Sequence, residues 1–173
     1  MIEHAGAKGR FSFVCFDRFG RLRWREEFNN LVLNQGKNLM LDTFFSGAAY
    51  TTTGPYLGLI SSVGFTGIVA GDTALSHPGW VEAGGAHAPT YTGPRPTMLF
   101  SAAASGAKAL SAFLTFAITG TGTIKGGFVV LGPGAIATID DTGGSLWSAG
   151  LFVGGDNLCH AGDAVSVNYI TSL

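Results

Sequence analysis

The chain has 173 residues, a length suited to one domain with its own core. Only 12% of its residues are charged and 27 are glycine, which excludes a disordered acidic or basic tail. A net charge of −1 excludes wholesale neutralisation of phosphates.

Met1 to Arg10 carries Glu3, Lys8 and Arg10 and no apolar stretch of signal-peptide length, so synthesis in a cytoplasm is expected. Residues 1–42 hold seven of the ten Lys and Arg, and the rest of the chain only Arg95, Lys108 and Lys125. Phe11 to Phe16 is aromatic and β-rich, and Asp17-Arg18-Phe19-Gly20 can turn. Arg21 to Phe28 then alternates Arg21, Arg23 and Arg25 with Leu22 and Trp24. Period two predicts a hairpin with arginines on one face and apolar residues on the other. Residues 1–28 therefore read as an N-terminal arm or hairpin, and 29–173 as one β-sandwich domain.

Leu33, Gly36, Leu39, Met40, Thr43 and Phe44 fall at helical spacing, with Asn34 as N-cap and Gly47 as stop. This predicts one short helix near the N-terminus. Thr43 to Gly71 lacks Asp, Glu, Lys and Arg, but its glycines, Pro55 and the Thr51–Thr53 run argue against a membrane span. Ser62 to Thr92 reads as a long loop carrying Trp80. Strands are predicted at Tyr56–Ser61, Thr97–Ser101, Leu110–Thr119, Thr123–Leu131, Ser145–Gly154 and Ala164–Ile170. Leu110, Ala112, Leu114, Phe116 and Ile118 are expected on one side of theirs, and Val165, Val167 and Tyr169 on one side of the last. Many short strands with Gly-rich turns point to an antiparallel sandwich or barrel.

Candidate chemistry is sparse. Cys15 and Cys159 lack CxxC spacing, so two buried free thiols are expected over a disulfide. Asp156, Cys159, His160 and Asp163 cluster locally without paired metal ligands, so no metal or other cofactor is expected. Gly71-Asp72-Thr73 with Ser76-His77 lacks a nucleophile elbow, and no enzyme activity is expected. Arg18, Arg21, Arg23, Trp24 and Arg25 form the most distinctive group. An arginine-aromatic strand suits a protein interface, and nucleic acid is the less favoured partner. Trp80, His87 and Tyr91 give a second candidate, a loop that stacks on a sugar ring. Against it stands the reading in which Trp80 plugs the sandwich edge.

Several phrases carry a resemblance: Asn30-Leu31-Val32-Leu33-Asn34-Gln35-Gly36, Tyr56-Leu57-Gly58-Leu59-Ile60 and the run from Gly71 to Trp80. Arg95-Pro96-Thr97, Gly122 to Phe128 and Ala161-Gly162-Asp163 follow in that order. Together they resemble small structural proteins of tailed bacteriophages, of the type encoded near capsid genes that decorate or cement the head. The resemblance implies a jelly-roll β-sandwich that forms a homo-oligomer, of which a trimer is one closed form. It implies the major capsid protein as partner and the capsid surface of the virion as location, after synthesis in the host cytoplasm. The alternative is a tail-associated receptor- or carbohydrate-binding module.

Overall fold

The computed structural model describes residues 6–45 and 53–172. Their strands are β1 (Lys8–Phe16), β2 (Leu22–Asn29), β3 (Leu31–Val32), β4 (Tyr56–Ser61), β5 (Ala107–Ala109) and β6 (Leu114–Ala117). β7 (Gly122–Leu131), β8 (Ser145–Leu151), β9 (Asn157–Cys159) and β10 (Ala164–Ser172) follow, and the described helix is α1 (Asn34–Phe45). The protein is mainly β, with every strand pairing antiparallel. One sheet runs β2-β1-β10-β5, with β6 also on β10; the other runs β3-β8-β7-β4, with β9 also on β7.

Alternation builds the first sheet. Phe11, Phe13 and Cys15 of β1 face inward opposite Tyr169, Val167 and Val165 of β10. These six residues are 2% exposed or less, and they meet Leu57, Leu59, Ile124 and Val129 of the second sheet in one core. Four rings tighten its centre, with Phe11, Phe13, Phe28 and Phe152 linked by centroid distances of 5.2–5.8 Å. Residues 8–29 form the β1–β2 hairpin. β1 lies between β2 and β10, in the same core as the residues that follow.

Asp17 explains the β1–β2 turn. Its Oδ1 accepts the N–H groups of Phe19 and Arg21 at 2.9 Å, and Gly20 supplies the positive φ of 76°. A bulge next to Cys15 then disturbs the predicted faces. Trp24 lies opposite inward Cys15, but Leu22 lies opposite Phe16 and is 61% exposed.

The second sheet is covered on its outer face too. Phe128 and Val130 of β7, Ile60 of β4 and Leu146 of β8 pack there with Leu33, Ala74 and Trp80. The long loop therefore works as a lid on this sheet, and Trp80, 2% exposed, plugs its outer face and not its edge. A ring of this size buries about 150–250 Å², so it anchors the loop by several kcal/mol, about 4–6 gross.

Three local expectations need correction. Thr97–Ser101 is not a strand; Thr97 and Phe100 make only isolated bridges, to Tyr56 and Leu110. The Leu110–Thr119 run divides: Leu110, Phe116 and Ile118 are buried, but Ala112 is exposed and the strand spans Leu114–Ala117. The Leu33 carbonyl accepts the first helical bond, from the Lys37 N–H at 3.0 Å, so Asn34 stands inside α1 and does not cap it. Gly47, the expected stop, lies outside the described residues. No described helix is long and apolar enough to cross a membrane.

Candidate functional site

The hairpin arginines are mostly committed to acids. Arg21 Nε donates to Asp17 Oδ2 at 2.7 Å, and Arg23 Nε donates to buried Asp163 at 2.9 Å. Arg10 and Arg25 share Glu27 between them on the outer face of the first sheet. The Arg21 amide and side chain hold the Asp17 carboxyl below its ordinary range, and the Arg25 and Arg10 guanidinium groups do the same for Glu27. Exposed pairs of this kind add little stability, but they lower the charge on offer to a polyanion. Trp24 is half-buried against Phe152 and donates its Nε1–H to the Leu158 carbonyl at 3.1 Å.

The hairpin tip remains open. Phe19 is 66% exposed, with the Arg18 and Arg21 guanidinium carbons 4.8 and 5.1 Å from its ring centroid. Among the described residues Arg18 has no acidic partner. The structure thus keeps Arg18 and Arg21 together at the tip, and separates Arg23, Trp24 and Arg25 from them.

Trp80, His87 and Tyr91 do not form one stacking surface. Trp80 donates its Nε1–H to Asp72 Oδ2 at 2.9 Å, and its ring is covered by His77, stacked at 3.9 Å, and by Phe128. Tyr91, 6% exposed, packs edge-on to Phe116 in the core between the sheets, and burial pushes its phenol above the ordinary range. His87 is half-buried, with its Nδ1 buried and unpartnered. Neither large ring offers a face to a sugar.

The residues near the C-terminus diverge as well. Asp156 meets Lys125 at 2.6 Å, while Asp163 Oδ2 accepts the His160 amide at 2.8 Å. Cys15 and Cys159 are buried free thiols, and hydrogen bonding with the Cys15 thiol together with burial pushes Cys159 well above the usual thiol range. The described residues hold no group of three or more His, Cys, Asp or Glu arranged for a metal ion.

Two features were missed by sequence reasoning. The first is an apolar groove of about 510 Å³ beside α1, lined by Leu39, Met40, Phe44, Leu131, Trp147 and Ala107 among others. Only Gly36 of α1 is fully buried: a Cβ there would lie 2.6 Å from the Trp147 carbonyl oxygen. The helix therefore sits close on β8 at its start and leaves its later turns uncovered. Leu41 is 49% exposed, Phe44 74% and Phe45 84%. A signal existed in the sequence, because Leu39, Met40, Leu41, Phe44 and Phe45 encircle the helix and one buried stripe cannot absorb them all.

The second is a cleft of about 400 Å³ over the outer face of the second sheet. At its base Arg95 forks onto Glu82, with Nε–Oε1 at 2.8 Å and Nη2–Oε2 at 2.6 Å, both side chains 4% exposed or less. Nη2 also donates to the Asp141 carbonyl at 2.9 Å, and the Asp140 amide donates to Glu82 Oε2 at 2.7 Å. One buried ion pair thus ties the 82 and 95 segments to the 136–141 loop. Asp140 holds a positive φ of 62° at the rim. Burial pushes the Glu82 carboxyl above its ordinary range, against the pull of the Arg95 fork. No protein family, curated protein or solved structure matches the chain.

Proposed function

We propose that the chain is a non-enzymatic virion subunit of jelly-roll type that coats and stabilises a phage head as a homo-oligomer. The observation that carries this reading is the uncovered apolar side of α1 beside its groove. Leu41, Phe44 and Phe45 expose much of their surface in a chain with few charges, and exposed apolar surface gathered in this way marks a place where a partner binds. An interface of ordinary size buries about 800 Å² per partner, of order 20 kcal/mol gross before ordering costs. Stiffening a shell needs contact of that size and no bond chemistry. The loop residues that suggest a hydrolase are spent on structure: Asp72 accepts from Trp80 and the Val69 amide, and His77 Nδ1 donates to the Trp80 carbonyl.

The partner is the major capsid protein, and the test is occupancy on shells assembled from a tailed-phage major capsid protein. Phe44→Glu with Phe45→Glu is expected to reduce co-sedimentation with shells at least ~100-fold, as central aromatic anchors do. Both side chains are exposed, so the melting temperature should stay within a few degrees of the parent. Unchanged occupancy would remove α1 from the contact. The carbohydrate-binding reading has less support, because the rings of Trp80 and Tyr91 are covered by protein.

A further inference from the structure

We propose that copies of the chain join head to tail, the Arg18–Phe19–Arg21 tip of one copy seated in the acid-rimmed cleft of the next. The inference rests on the assembly reading and names the two faces that make the homo-oligomer.

The two surfaces are complementary in charge. Glu82, Asp140 and Asp141 against Arg95 leave the cleft with two surplus negative charges. Among the described residues, the Asp140 carboxylate accepts only the Ala86 amide at 3.4 Å, and that of Asp141 only the Gly143 amide at 2.8 Å. A carboxylate offers about four acceptor sites, so most of their capacity is unused. His87 adds a buried Nδ1 without a partner on the same lining. Exposed Leu75 and Pro78 supply the apolar part of the same lining.

The tip supplies the converse. Arg18 lacks an acidic partner among the described residues, Arg21 is 73% exposed beyond its bond to Asp17, and both flank an exposed aromatic ring. Phe19 meets Leu75 and Pro78 while the guanidinium groups reach Asp140 and Asp141, whose planar carboxylates match a guanidinium fork. A copy cannot serve itself, because the tip packs near Gly162 at the end of the first sheet and the cleft lies over the second. A two-fold dimer would have to form both tip–cleft contacts at once, whereas a single contact leaves one tip and one cleft open to further copies. Each tip–cleft contact pairs opposite charges, and the head-to-tail series closes into rings when the rotation permits.

Light scattering across a dilution series at low salt tests the contact. The parent mass is expected to rise with concentration. Arg18→Glu and Asp140→Lys should each weaken association ~10-fold or more, and an equimolar mixture of the two should restore it, since each swapped face finds its complement. Asp140→Asn, which tolerates the left-handed backbone, should weaken association in the same direction without introducing a cation. Circular dichroism confirms that each variant keeps its sheet content. A parent that stays monomeric, swaps that leave its mass unchanged, or a mixture that stays dissociated would each overturn the proposal. Shell binding through α1 is read separately, so loss of the tip–cleft contact is distinguishable from failure of the assembly reading.

Discussion

Replacing Arg95 by methionine is expected to destabilise the fold by about 3–5 kcal/mol, because it leaves the Glu82 carboxylate buried without its counter-charge. For a chain of this size that is a fall of roughly 6–20 °C in melting temperature. The cost is large because one guanidinium serves Glu82 twice and the Asp141 carbonyl once. Replacing both partners, Arg95→Met with Glu82→Leu, should recover much of the loss, since no unpaired charge is then buried. The pH dependence has a definite sign. Burial already raises Glu82, and losing Arg95 raises it further, so the carboxyl of the variant takes up a proton more readily. A folded-state pKa above the unfolded one gives stability in acid that is lost as pH rises. The deficit of Arg95→Met should therefore be smaller near pH ~4 than near pH ~7. Thermal melts at both values read it. A deficit under ~1 kcal/mol at neutral pH would mean that water reaches the pair.

Gly36→Ala should also destabilise the protein, by about 1–3 kcal/mol, although alanine is the better helix former by ~1 kcal/mol. The added Cβ would stand 2.6 Å from the Trp147 carbonyl oxygen and 2.9 Å from its Cα and ring. Backbone cannot move aside as the end of a flexible side chain can, so α1 must lift from β8. Trp147 lines the apolar groove, and its fluorescence should shift as the helix rises. Shell binding should fall with it, because Phe44 and the groove then lose their relative position. A variant as stable as the parent, with unaltered fluorescence, would show that α1 is seated elsewhere.

The sequence was most informative where burial is one-sided and regular. Val165, Val167 and Tyr169 of β10 turn inward as their alternation predicts, and Phe116 and Ile118 do the same in and beside β6. Trp80 behaves as the plug that its apolar, loop-borne position suggests. Irregularity was hidden. The bulge beside Cys15 moves Leu22 outward, and nothing in the arginine alternation announces it. Thr97–Ser101 has strand-like residues but no continuous partner, since strand pairing is settled by neighbours distant in sequence. Glu82 and Arg95 meet across loops with no periodicity, so their pairing could not be read from spacing. The apolar girdle of α1 was visible, but its consequence required Gly36, whose missing side chain fixes which turn of the helix is seated.

Amide hydrogen exchange of α1, compared between free protein and protein bound to capsid shells, decides whether this helix makes the shell contact. Amides from Leu39 to Phe45 should slow ~10-fold or more on the shell, because a partner then covers the helix face that water reaches in the free chain. Protection confined to the Trp80 loop, with α1 exchanging as in the free protein, would contradict it.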